Sequence, residues 1–125
     1  MKFVITTEHV FSWPVKMKVP DPKRAGAKIE QKFEGKFRYL PRSELSELTE
    51  QYKTLADPAE RAAHEHDIIR RGLLGWNEEV ETDDGDAVPF STEALEQALE
   101  VEWFRAGVYR AYAEATSQDG ARKGN

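Results

Sequence analysis

FSWPVKMKVPDPKRAGAKIEQKFEGKFRYL, residues 11–40, decides how the chain is built. In its first third Phe11, Trp13, Val15, Met17 and Val19 are apolar while Ser12, Lys16 and Lys18 are polar, a period of two that buries one face of a strand. In its last third Lys28, Glu30, Lys32, Glu34, Lys36 and Arg38 are charged, and Ile29, Phe33, Phe37 and Tyr39 alternate with them, so a second strand has one solvated face. Between the two, Pro20, Pro22 and Gly26 interrupt pairing and make 20–27 a long hairpin loop. An antiparallel pair is the simplest result. The opening KFVIT, residues 2–6, reads as a third strand joined through a turn near Thr7 to His9, and three strands with an apolar face are far more stable than two. Pro14 then belongs at an edge or a bulge, where its missing N–H breaks no ladder bond.

Beyond Pro41 the period changes. Leu45, Leu48, Tyr52 and Leu55 recur at spacings of three and four, and Ser43 is placed to cap the free N–H groups, which predicts an amphipathic helix over 43–56. Asp57 and Pro58 restart the chain as N-cap and first position of a second helix, whose apolar stripe runs Ala62, Ile69, Leu73 and Trp76, with Gly72 and Gly75 marking close packing and then a helix end. NEEVETDDGDAVP, residues 77–89, is an acidic connection with a turn at Asp84-Gly85, after which Ser91 caps a third helical segment. In that segment Leu95, Ala98 and Leu99 define one face, whereas Val101, Phe104, Val108, Ala111 and Ala115 define another. A kink, or two helices meeting near 100–102, turns both faces inward; a single straight helix keeps two apolar sides and requires a partner.

The expected fold is therefore α+β: an N-terminal antiparallel β-hairpin or three-stranded sheet followed by a bundle of three to four α-helices. One domain is expected over 1–118, with a hairpin module at 1–40 and a helical module at 41–118, and a disordered tail at 119–125. A chain of 125 residues has room for one modest core, and 39% apolar residues with 33% charged and a mean hydropathy of −0.71 predict a small core under a large polar surface. No apolar run approaches the roughly 18–20 residues of a membrane span, and the start MKFVITTEHVF has no secretory pattern, so a soluble protein without a membrane partner is expected. The absence of cysteine removes disulfides, thiol nucleophiles and Cys-based zinc sites, and fits a cytosolic compartment. The net charge of −5 conceals a division: ten basic against four acidic residues in 1–42 give +6, and eight against nineteen in 43–125 give −11. Such a split fits two attracting submodules or two oppositely charged surfaces for partners or self-association.

Residues able to do chemistry are present without the spacing that chemistry needs. His64 and His66 in AHEHD point roughly 200° apart on a helix, which suits one metal poorly. His9 stands alone. Asp83, Asp84 and Asp86 depart from a calcium loop in spacing and lack its closing glutamate. There is no nucleophile elbow, no Gly-rich phosphate loop and no carboxylate pair that the sequence places in a cleft, so no enzyme, cofactor or metal is expected. The basic hairpin carries aromatic residues, but these occupy core positions and Glu30 and Glu34 interrupt its lysines, so nucleic acid is not an expected partner. Trp103 and Phe104 put two large rings about 100° apart on one helix, and both are buried only if the domain or a partner wraps it.

The order of these features resembles the small tail assembly chaperones of long-tailed bacteriophages and prophages. The most specific stretch is GLLGWNEEVETDDGDAVPFSTEALEQAL, in which Gly75-Trp76, the acidic Asp83–Asp86 and Pro89-Phe90-Ser91 stand where the family has a Gly-Trp that ends a helix, an acidic loop and a Pro-Phe-Ser that opens the next helix. The likeness is clearest over 40–116. It departs at Glu100-Val101-Glu102, where such proteins often carry a proline, and in a more elaborate N-terminal hairpin. The resemblance implies a non-enzymatic protein of the host bacterial cytoplasm that binds the tape measure protein, keeps it soluble, and is displaced as tail tube subunits polymerise. Within it, Trp103, Phe104, Val108 and Tyr112 are expected to form the partner-binding strip, because they follow the phase break and exceed what a small core needs. The charge division adds an expected head-to-tail self-association. The rival implication is a structural head-tail connector or tail completion protein retained in the virion.

Overall fold

The computed structural model describes residues 1–118; the expected tail at 119–125 lies outside the described residues. Strand β1 (Val10–Pro20) pairs antiparallel with β2 (Lys28–Arg38), and the helices α1 (Arg42–Thr54), α2 (Pro58–His64) and α3 (Asp67–Gly72) return the chain to a third strand, β3 (Leu73–Trp76). Helices α4 (Thr92–Leu99) and α5 (Glu102–Thr116) complete the α+β fold. The sheet order is β1-β2-β3, antiparallel throughout, with β2 central.

The hairpin follows its alternation. Val15, Met17 and Val19 are buried on β1 opposite Phe33, Gln31 and Ile29 of β2, and Phe37 is buried opposite Phe11. The connecting loop closes through Asp21 N–H to Ala27 C=O at 2.9 Å, with Gly26 at φ +81°, a left-handed position that a β-carbon would strain. Pro14 lies on edge strand β1, so its absent N–H costs the ladder nothing.

The third strand is not KFVIT. Residues 1–9 form no strand, and the outer edge of β2 is taken by LLGW instead. The helical stripe misled here because Ile69, Leu73 and Trp76 face the core in either conformation: α3 stops at Gly72, and in the strand that follows Leu74 is exposed and left out of the pairing, so that Leu73 and Trp76 both turn inward. Pairing here satisfies backbone groups on the free edge of β2 that a further helical turn of 73–76 would leave open, with a bulge between Lys36 and Phe37 absorbing the register. Asn77 extends the pairing, donating its N–H to Glu34 C=O at 3.1 Å while its Oδ1 accepts from Glu34 N–H at 3.0 Å.

Helix boundaries test the capping chemistry one by one. Asp57 accepts from Ala59 N–H with Pro58 at the first position, and Ser91 Oγ accepts from Ala94 N–H at 3.0 Å, both as the sequence indicates. Ser43 does not cap: α1 starts one residue earlier, Pro41 precedes it without a side-chain hydrogen bond, and Ser43 sits inside the first turn. The expected second helix is two, α2 and α3, interrupted at Glu65-His66. The phase break resolves as two helices, with Val101 extended between them.

One core joins sheet and helices. Phe33 stacks on Phe104 with ring centres 5.8 Å apart, and Trp76 meets Phe33, Phe90 and Phe104 edge-on. The Trp76 indole N–H is satisfied by Val88 C=O at 2.7 Å. Helix α5 lies against β1 at Gly107, where a β-carbon would come within 2.7 Å of Met17 Cγ and 2.9 Å of Lys16 O. Gly107→Val is therefore expected to lower stability by about 1–3 kcal/mol, read from urea midpoints.

At the far side Arg38 grips Glu44 with two hydrogen bonds of 2.9 and 2.7 Å, and Arg71 adds a third at 3.1 Å. The hydrogen bond from Arg38, then that from Arg71, holds the Glu44 carboxyl below its ordinary value against the opposing effect of burial. A depressed carboxyl contributes stability above its unfolded pKa and loses it as pH falls through the folded value. Urea midpoints between neutral and acidic pH should fall less steeply below pH ~4.5 for Glu44→Gln than for the wild type.

Candidate partner-binding groove

At the loop end of the hairpin the core reaches the surface. A groove of about 640 Å³ runs between β2, the 79–83 segment and the α4–α5 junction, floored by Met17, Phe33, Val80, Ala98, Val101 and Phe104. Trp103 stands on its wall, and on the other side of this ring a second hollow of about 430 Å³ is lined by Met17, Pro20, Lys28, Ala106 and Arg110.

The chain builds this site through the break at 100–101. Glu100 N–H bonds back to Gln97 and Ala98 carbonyls, closing α4, and Val101 at φ −103°, ψ 120° sends α5 off on a new axis. Adjacent residues on the new helix then diverge by about 100°. Phe104 enters the core at 6% exposure, and Trp103 remains 40% exposed.

The four residues expected to form one strip do not share a surface. Trp103 stands open at the groove and Phe104 supplies part of its floor. Val108 is buried. Tyr112 is half-buried, its ring tilted against Phe37 and its hydroxyl accepting the Leu40 N–H at 2.8 Å. The reason is the spacing 104, 107, 108 and 111, which is the buried side of α5: Gly107 and Ala111 let the helix approach β1, and Val108 and Tyr112 then turn toward the sheet. Sequence reasoning missed Met17, Phe33 and Val101 as floor residues, since the first two read only as inward strand positions and the third only as part of a seam.

Around the groove the charges are mixed. Glu79, Glu81 and Asp83 line one side with Lys32 near them. The acidic connection is itself ordered: Val88 N–H donates to Val80 C=O and Thr82 N–H to Asp86 C=O, each at 2.8 Å, making a small hairpin turned at Gly85. The two histidines of AHEHD have separate partners. His64 Nδ1 lies 2.9 Å from Asp67, and His66 Nδ1 lies 2.8 Å from the Tyr109 hydroxyl. Burial lowers the His66 pKa and raises that of Tyr109, so the neutral pair is favoured. Arg70 bridges Asp67 at 2.8 Å and Glu96 at 2.7 and 3.0 Å, tying α3 to α4. Among the described residues no group of three or more acidic or histidine side chains is placed to hold a metal ion, and no helix is long and apolar enough to cross a membrane.

No family model, curated protein or solved structure matches this chain.

The adjacent rings should separate cleanly on substitution. Phe104→Ala is expected to cost about 3–5 kcal/mol of stability, and Trp103→Ala less than about 1 kcal/mol, both measured by chemical denaturation.

Proposed function

We propose that this protein is a tail assembly chaperone of a long-tailed phage or prophage, acting in the host bacterial cytoplasm by docking an apolar helical segment of the tape measure protein. The observation that carries the reading is Trp103, a large ring left open beside a groove whose floor is continuous with the core. Tryptophan is the side chain most favoured as a binding anchor, and an amphipathic helix laid in such a groove presents its apolar residues at spacings of three and four. Of the residues that carry the resemblance, Ser91 caps α4 as expected, whereas Gly75-Trp76 closes strand β3 rather than a helix, with the acidic hairpin following it.

The chemistry asked of the protein is association alone. A chaperone that yields its client to polymerising tube subunits needs a contact strong enough to prevent client aggregation and weak enough to be displaced. One exposed ring flanked by partly buried Val101 and Ala98 meets that need better than a deep pocket, because each modest contact is released separately. Net negative charge keeps the complex soluble.

Co-expression with the tape measure protein is the direct test. The wild type should hold the client in the soluble fraction, and Trp103→Glu should lose it to the pellet while its own circular dichroism and urea midpoint stay unchanged. Mass spectrometry of purified virions should find no copy of the chain. Its stoichiometric presence there would favour the connector or completion protein instead.

A further inference from the structure

Residues 1–8 precede the sheet with an apolar segment that is left uncovered among the described residues: Phe3, Val4 and Ile5 are 88%, 73% and 88% exposed. Their junction with the sheet has a definite structure. Tyr39 N–H donates to His9 C=O at 2.8 Å, extending the pairing one residue beyond β1, and before it Thr6 Oγ1 both accepts from Glu8 N–H and donates to Glu8 C=O. No residue before that turn pairs with the sheet, and residues 1–6 are all exposed. Three large apolar side chains in succession, in a sequence that favours extended pairing, form a contiguous sticky segment rather than scattered surface residues.

The groove beside Trp103 is the complementary feature. Its floor is apolar, and Glu79, Glu81 and Asp83 beside it make no ion pair among the described residues. Lys2 immediately precedes the three apolar residues, so a segment seated in the groove brings its cation to that acidic side. The segment is poorly placed to fill its own groove. Val10 and Met17 are seven positions apart along β1, roughly 23 Å at strand rise. A fully stretched run back to Phe3 spans little more than that, and its path along the outer edge of β1 is obstructed where Gly107 and Arg110 lie against the Lys16 carbonyl.

We infer that the groove of one copy receives the Lys2–Ile5 segment of a second copy, so that the protein self-associates by exchanging these segments and keeps its docking surface covered until a client displaces them. Reciprocal donation satisfies both segments and both grooves in a closed dimer, whereas one-way donation leaves one of each open. The proposal shares the groove with the function above but does not depend on the identity of the client.

Sedimentation equilibrium of the full chain over a wide concentration range tests it. The wild type should approach the dimer mass. Phe3→Asp with Ile5→Asp, which alters only exposed residues, should weaken dimerisation by about tenfold or more, and Val101→Asp on the groove side should do the same. Mixing the two variants should give tighter association than either shows alone, because one retains a groove and the other a segment. A monomer at every concentration, or a dimer indifferent to Phe3→Asp with Ile5→Asp, overturns the inference, the latter placing the interface elsewhere. Client binding is scored separately on the segment variant, which should take the tape measure helix at least as tightly as the wild type. A failure there, with the wild type dimeric and this variant's dimerisation weakened, counts against the function and not against the exchange.

Discussion

Helix α5 can lie on β1 only because residue 107 has no side chain. The approach at Gly107 brings the helix backbone against the Lys16 carbonyl and the Met17 side chain, closer than any β-carbon allows. That contact fixes the rotation of α5 about its own axis, and the rotation assigns every other residue on it. Phe104, Val108 and Ala111 must then face the core, while Trp103 and Ala106 must face away. The same contact protects the sheet. Arg110 reaches the Lys16 carbonyl at 3.4 Å, so the middle of an exposed edge strand is covered by a helix and a cation, and Pro14 removes a donor from the same strand.

Where the fold was legible, the reason was that local pattern and tertiary demand agreed. Alternation in 11–19 and 28–38 matches strands with one wet face, and Asp57-Pro58 and Ser91 cap helices by chemistry contained in a few residues. The apolar seams around Val101 located a break that no proline marks. Where it was illegible, two conformations bury the same side chains. Leu73 and Trp76 satisfy a helical stripe and a bulged strand equally, and only the open edge of β2, built from residues about forty positions earlier, chooses between them. The site was half legible for a similar reason. Trp103 beside Phe104 says that both rings are buried only if the domain or a partner wraps the helix, but which one the core takes depends on Gly107, and so does the turning of Val108 and Tyr112 toward the sheet.

The charge division of the sequence has a spatial form. The outward face of β1 and β2 carries Lys16, Lys18, Lys28, Lys32 and Lys36, with Lys16 directly opposite Lys32, a like-charged pair that costs the sheet stability. Glu30 lies opposite Lys18 and only partly offsets it. The carboxylates that balance the chain as a whole are elsewhere, on the hairpin at 78–86 and on the helices, where Glu44 of α1 is held to β2 through Arg38 and Glu96 of α4 to α3 through Arg70. Ion pairs therefore fasten α1 to β2 and α3 to α4, and are absent, among the described residues, from Glu79, Glu81 and Asp83 beside the groove.

That asymmetry bears on how a segment docked there, as proposed, would be released. A groove floored by Phe33 and Phe104 cannot deepen without dismantling the stack that joins sheet to helix, so the apolar contact available to any occupant is bounded by the part of Trp103, Val101 and Met17 left at the surface. Unpaired carboxylates at the groove add attraction for cations on the approaching chain, a contribution that speeds encounter and is weakened by salt more than it deepens the bound state. Shallow apolar contact with long-range attraction gives rapid capture and rapid loss, and in related complexes differences in affinity lie mainly in the rate of loss. An occupant that holds several such surfaces at once, as a long helix lined with copies of this protein would, gains from each while every copy remains individually replaceable. The aromatic stack thus sets both the stability of the fold and the ceiling on how tightly its surface can hold another chain.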